Sequence, residues 1–376
     1  MVYSDPELKL LTPLKLGDDL ELKNRVIFGP LTRARSNIDT RAASEINEEY
    51  YEMRAGAGLI IAEATSISEQ AHGWYGAPGC YTEEHAAAWK RVVDRVHARG
   101  GKIFLQLWHM GRQAHSTFNA QHDLVSASAI RLTTGRTRNA NGEYTTHEVP
   151  RALETEEVAG IVEDYRKAAA LAKKAGFDGI ELHSANSYLI DQFMQSCTNK
   201  RTDKYGGSFE NRARFLLEII EAVKTVFPPH RIGARLAPNS SFGDMGSEDN
   251  FEMFSYVLQR LNEHKIGYVS LLDGVGTGFH DKGRLMTLLD AKMHFKGNIF
   301  GCNNYTKEIA EGAIRTGAAD AVCFGRAFIT NPDLPERFAN NWPLAEPAPT
   351  EVYWNADFKA KGYLTYFKYE PTKVAS

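Results

Sequence analysis

The run "GIELHSANSY" (179–188) ends an apolar, strand-like segment and then places His183, Asn186 and Tyr188 within six residues. An imidazole and a carboxamide can each donate a hydrogen bond to an oxygen atom. A tyrosine with the ordinary pKa near 10 stays protonated at neutral pH and can deliver a proton. A lone histidine at a strand end is usually structural; the carboxamide and phenol beside it turn the reading towards a site.

Other segments of the same kind end in chemically useful residues. They deliver Pro30 and Thr32, Glu63 and Ala64, Gln106 and Trp108, Arg235, Asp273, Asn303 and Asn304, and finally Gly325 and Arg326. An amide, a guanidinium, a hydroxyl and an imidazole suit a flat, hydrogen-bonding cofactor better than a metal cage. Cys80, Cys197, Cys302 and Cys323 form no pair with zinc or iron–sulfur spacing, so no metal is expected. "CFGRAF" supplies a glycine for close backbone approach and an arginine for charge, as a phosphate site requires.

The elements that must position these residues alternate along the chain. Eight apolar runs, "RVIFGPLT", "GLIIAEAT", "KIFLQLWH", "DGIELHSA", "RIGARLAP", "GYVSLLDG", "GNIFGCNN" and "DAVCFGRA", read as strands. Helix-period segments such as "EEHAAAWKRVVDRVHAR" and "NFEMFSYVLQRLNEH" separate them. Near-continuous apolar strands alternating with helices predict parallel strands covered outside by helices, an α/β fold, and eight such units predict a (β/α)8 TIM barrel. A doubly wound sheet competes less well, since no G-x-G-x-x-G follows the first strand. The chain of 376 residues exceeds the roughly 250 typical of the barrel. The surplus lies in an N-terminal hairpin, "LTPLKLGDDLELKNRV", with its turn at Gly17–Asp18, expected to plug the barrel bottom. It lies also in a long insertion after strand three, residues 108–150, expected to cap the mouth, with a second hairpin signalled by Asn141–Gly142. The whole chain, 1–376, reads as one domain.

Composition excludes several function classes. The formal net charge is −3, with no basic stripe, which argues against nucleic acid. No stretch reaches the roughly 18 apolar residues of a membrane span, mean hydropathy is −0.38, and the start has no leader pattern. The expectation is a cytoplasmic protein acting on a small molecule as a monomer or homodimer.

Five segments together, "GPLTRAR" (29–35), "QLWHMGR" (106–112), "HSANSYLIDQFM" (183–194), "RTDKYGGSFENRARF" (201–215) and "FGRAFITNPDL" (324–334), closely resemble the old yellow enzyme family of FMN-dependent ene-reductases. The resemblance covers nearly the whole chain. It implies FMN as cofactor, NADPH or NADH as reductant, and an activated alkene as substrate: an α,β-unsaturated aldehyde or ketone, a maleimide or a nitroalkene. Position by position, it implies Thr32 as the hydroxyl on the flavin O4, Gln106 on the pyrimidine edge and Arg235 beside N1 and O2. Pro30 and Ala64 would also contact the cofactor, and Asn303, Asn304, Gly325 and Arg326 would hold its phosphate. His183 and Asn186 would bind the substrate's carbonyl or nitro oxygen, Tyr188 would donate the proton, and Trp74, Trp108 and Tyr353 would line the substrate pocket.

The chemistry agrees with that assignment: hydride addition to an activated alkene drives charge onto the conjugated oxygen, where two donors must point. The sequence departs from the family in three places. Trp74 replaces a more usual tyrosine, Asn303 and Asn304 stand where many relatives carry glycine, and Thr32 stands where some carry a flavin-tuning cysteine. Alternative readings stay open. Arg235 can pair with Asp273, Arg326 can be a surface charge, the three aromatics can be core, and "RTDKYGGSFENRARF" reads as scaffold with Ser208 capping a helix. A flavin-free barrel enzyme would want a Schiff-base lysine or paired acids at the strand ends, and neither is present.

Overall fold

The computed structural model describes residues 7–274, 278–302 and 304–371. Eight parallel strands close into a barrel: β1 (Val26–Phe28), β2 (Leu59–Ser66), β3 (Ile103–Trp108), β4 (Gly179–Ser184), β5 (Ile232–Leu236), β6 (Tyr268–Leu272), β7 (Asn298–Cys302) and β8 (Ala321–Phe324). β8 pairs back onto β1 through Cys323 and Ile27, so the sheet has no edge. Every residue of β2, β3, β4, β6 and β8 is buried. Strands filled inside by side chains and covered outside by helices must be apolar on both faces, which is why they read as continuous apolar runs.

The covering helices are α1 (Glu45–Met53), α2 (Glu83–Ala98), α3 (Thr155–Lys174), α5 (Phe209–Lys224), α6 (Asn250–His264) and α8 (Lys307–Arg315), with shorter α4 (Leu189–Met194), α7 (Leu288–His294), α9 (Arg326–Thr330) and α10 (Leu334–Asn340). Their starts are set locally. Thr82, Ser208 and Thr306 accept backbone N–H groups from His85, Asn211 and Ile309 at the heads of α2, α5 and α8. The segment leading into α5 is scaffold: Asn199 Nδ2 donates to the carbonyls of Phe193 and Tyr205, and Arg212 Nη1 to that of Met194.

The N-terminal hairpin pairs Leu14–Gly17 with Leu20–Leu22. Gly17 lies opposite Leu20 after an irregularity in the register, so the turn falls at Asp18–Asp19, one residue later than the glycine suggested. Leu14, Leu16, Leu20 and Leu22 join Ile27, Leu59, Phe104 and Tyr268 in one apolar cluster. Arg231, just before β5, donates to Asp19 Oδ2 at 3.0 Å, and Asn298, the first residue of β7, donates through Nδ2 to the Lys15 carbonyl at 3.3 Å, so the hairpin lies against the N-terminal ends of these strands. Between β3 and α3, Thr137–Arg138 pairs with Tyr144–Thr145 around a turn in which Gly142 has φ 81°, and Val125–Ser126 runs beside Arg151–Ala152. Among the described residues no helix is long and apolar enough to cross a membrane.

Candidate active site

A cavity of about 260 Å³ opens at the C-terminal ends of the strands. Its walls bring together Pro30 and Thr32 after β1, Gln106 on β3, His183, Asn186 and Tyr188 on and after β4, Arg235 on β5, and Asn304, Gly325 and Arg326 after β7 and β8, with Trp74 at the rim. Ala64, Trp108 and Tyr353 do not line it. Trp108 is fully buried beside Ala64 and Tyr188, its indole N–H donating to Ser66 Oγ at 3.2 Å. Tyr353 packs against Ile329, Ala348 and Val352, and its neighbour Trp354 faces the cavity instead. Asn303 lies outside the described residues. Asn304 is in the left-handed region at φ 58°, a conformation asparagine tolerates better than most residues.

The loop that follows β4 is held in a strained form. Asn186 and Ser187 have φ of 58° and 62°, a conformation that costs on the order of 1–3 kcal/mol per residue unless the surroundings impose it. Here they do: Ser187 N donates to Asp191 Oδ2 at 2.9 Å, Gln192 Nε2 to the Ser187 carbonyl at 2.6 Å, and Gln113 Nε2 to the Asn186 carbonyl. The loop carrying Thr32 is fixed from two sides. Glu63 on β2 accepts the backbone N–H of Arg33 at 3.0 Å and of Ala34 at 3.3 Å. Arg33 in turn donates to the carbonyls of Tyr353 and Gly362, which anchors the C-terminal segment that presents Trp354. Glu63 is therefore structural.

The rings of Trp108, His183 and Tyr188 form one packed group. His183 stacks on Trp108 at 6.2 Å, and Tyr188 meets both edge-on, at 4.7 Å from Trp108 and 4.6 Å from His183. Burial, aided by the positive Arg235, pushes the His183 imidazole well below the usual histidine range, so it is neutral at pH 7. Burial also raises the Tyr188 phenol, with Arg235 opposing the shift, so the hydroxyl keeps its proton. Among the described residues His183 Nδ1 and Asn186 Oδ1 are buried without a hydrogen-bond partner. Among the described residues Arg235 has no carboxylate in ion-pair contact. Its guanidinium lies 3.9 Å from Cys302 Sγ, and Asp273 accepts instead from Tyr305 at 2.6 Å.

Sequence reasoning passed over several walls of this cavity: Leu31, Phe242, Leu272, Cys302, Cys323 and Trp354. The cysteines stand at strand-end positions within quoted runs, and that was the available signal. Phe242 and Trp354 sit in loops with no periodicity to point them inward. A second cavity, about 590 Å³, adjoins the first, sharing Trp74, Phe242 and Trp354 and walled by insertion residues including Leu132, Arg136, Arg138 and Tyr144.

A closed parallel barrel with an amide, a hydroxyl and an unpaired cation at one end of its mouth, and an arginine and glycine after its last strand, belongs to the barrels that hold a flat, phosphorylated cofactor. Comparison with known proteins makes this specific. Residues 9–345 match the NADH:flavin oxidoreductase / NADH oxidase family, whose members bind FMN. 12-Oxophytodienoate reductase 2 of Arabidopsis thaliana is 38% identical over 366 residues, 96% of each chain. 12-Oxophytodienoate reductase 1 of Oryza sativa subsp. japonica is 40% identical, over 90% of this chain and 87% of that one. Among solved structures, morphinone reductase superposes with a TM-score of 0.89 at 41% identity, covering 99% of this chain and 98% of that one. An old yellow enzyme homologue from Zymomonas mobilis gives 0.90 at 38% identity, covering 95% and 99%. The chain belongs to the NADH:flavin oxidoreductase / NADH oxidase family, the old yellow enzymes, and is an FMN-dependent oxidoreductase that uses a nicotinamide reductant.

Proposed function

We propose that this protein reduces the C=C bond of α,β-unsaturated aldehydes, ketones, maleimides or nitroalkenes, drawing electrons from NADPH or NADH. FMN, when bound and reduced by the nicotinamide, would supply the hydride that the alkene's β-carbon accepts. Thr32, Gln106 and Arg235 would hold its ring, with Pro30 beside them, and Asn304, Gly325 and Arg326 would hold its phosphate. His183 and Asn186 donate to the substrate's carbonyl or nitro oxygen, where negative charge collects as the β-carbon is attacked. The neutral imidazole suits this task, because it donates one N–H without neutralising the enolate outright. Tyr188 gives its proton to the α-carbon from the same wall. Trp108 fixes the rings of His183 and Tyr188 from behind, while Trp74 and Trp354 flank the substrate and the insertion 108–150 walls its outer pocket.

One observation carries this reading: an imidazole whose buried Nδ1 has no hydrogen-bond partner among the described residues lines one cavity with a carboxamide and a protonated phenol. The relatives' names agree with it, being reductases of 12-oxophytodienoate and of morphinone. The test is spectroscopic. The purified protein should be yellow, bleach anaerobically with NADPH or NADH, and regain its colour on adding an enone. Acid should release FMN. Reduced protein that no activated alkene reoxidises would overturn the proposal.

A further inference from the structure

Below the mouth cavity, Glu181 is a carboxylate with no exposure to solvent. It lies on β4 two residues before His183, on the same inward face of the strand. Its partner across the ladder is Gln106, whose Nε2 donates to Glu181 Oε1 at 2.7 Å. From β6, Ser270 Oγ donates to Oε2 at 3.0 Å. Burial pushes its carboxyl above the usual carboxylate range, and the positive Arg235 from β5 and the hydrogen bonds from Ser270 and Gln106 oppose that shift and favour the anion; Tyr268 and Cys323 complete its surroundings. A buried carboxylate is costly, and an apolar residue or a glutamine would fill the same space at lower cost. What a carboxylate adds is polarity of a fixed sense: it only accepts, so the nitrogen of Gln106 must face it. The Gln106 carbonyl oxygen and its second N–H are then left for the cavity, an acceptor and a donor side by side. That pair complements the N–H and C=O of an imide edge such as the flavin pyrimidine ring presents.

We infer that Glu181 is a positioning residue of the flavin site, which turns the Gln106 amide towards that edge and holds a negative charge behind Arg235. The inference rests on the reading of Gln106 as the amide that meets the pyrimidine edge. It has two separable consequences. Losing the hydrogen bond frees Gln106 to rotate and weakens FMN binding. Losing the charge leaves Arg235 unopposed, which favours the more negative, reduced flavin.

The test compares wild type, Glu181→Gln, Glu181→Asp, Gln106→Ala and the Glu181→Gln/Gln106→Ala double variant, each as holoenzyme, by FMN dissociation constant and two-electron midpoint potential. Gln106→Ala and Glu181→Gln should each weaken FMN about tenfold, and the double variant should bind no worse than Gln106→Ala alone. Glu181→Gln should also favour reduced over oxidised FMN about tenfold, a positive shift of about 30 mV for a two-electron couple. Glu181→Asp keeps the charge but falls one methylene short of Gln106, so it should weaken FMN with the potential unchanged. Wild-type affinity and potential in Glu181→Gln, alongside weakened binding in Gln106→Ala, would overturn the role of Glu181 while leaving that of Gln106 standing. Additive losses in the double variant would also overturn it, reducing Glu181 to packing. Unchanged binding in Gln106→Ala would instead remove the reading beneath it. Should Glu181→Gln fail to fold, Glu181→Asp decides: wild-type affinity there refutes the inference.

Discussion

Replacing Tyr188 with phenylalanine isolates one atom of the proposed site. The ring is 7% exposed, and it packs edge-on against Trp108 at 4.7 Å and His183 at 4.6 Å. Phenylalanine keeps both contacts, so the thermal midpoint should move by only about a degree or two. Among the described residues the hydroxyl has no hydrogen-bond partner to lose, and burial keeps its proton on throughout the working pH range. Its removal therefore acts on proton delivery alone. General acid catalysis contributes about 10²- to 10⁴-fold, or roughly 2.7–5.4 kcal/mol of barrier at 1.36 kcal/mol per decade. Stopped-flow measurement separates the two half-reactions. Flavin reduction by the nicotinamide should keep its wild-type rate, while reoxidation by a weakly activated enone should slow by that factor. A nitroalkene should lose far less, since its nitronate can leave and take a proton from water. Equal slowing of both half-reactions would show that the ring, not the hydroxyl, matters. Unchanged reoxidation by every enone would mean that another acid or water supplies the proton.

Arg326→Ala should raise the FMN dissociation constant about tenfold, a modest loss for a charge-assisted contact at an exposed arginine, and fluorescence titration at rising salt should show the gap narrowing. His183→Ala should weaken phenolic ligands by about 1–3 kcal/mol. In wild type these ligands should give a long-wavelength charge-transfer band, and binding that survives loss of both His183 and Asn186 would refute their assignment. Asp191, which fixes the strained Asn186–Ser187 loop, has its carboxyl pushed up to about 7 by burial. Because the folded value lies above the unfolded one, the stability this group contributes is complete below about pH 4 and is lost as pH rises through about 7, at up to about 1.4 kcal/mol per pH unit. Asp191→Asn should therefore flatten the dependence of urea midpoint on pH between 5 and 8. Parallel profiles for the two proteins would show that the acid does not titrate as described.

The barrel was legible in the sequence because its signals are local. A parallel strand buried on both faces must be an apolar run, and its end in this fold faces the mouth, so naming the runs also named Gln106, His183, Arg235 and Arg326. The long helices announce themselves by period; α4, α7, α9 and α10, with six, seven, five and seven residues, are too short to show one. Tertiary structure alone decided what depends on residues far apart in the chain. Tyr353 and Trp354 are neighbours of like character. Which of them reaches the cavity is set by Arg33, about three hundred residues away in sequence, gripping the Tyr353 and Gly362 carbonyls. The left-handed pair at Asn186–Ser187 exists because Asp191, Gln192 and Gln113 close around it. Glu181 stands within an apolar strand, and only the closed barrel sets Gln106, Ser270 and Arg235 around it. A sequence states which groups are available at each strand end; only the closed barrel fixes which of them share a cavity and which hold one another in place.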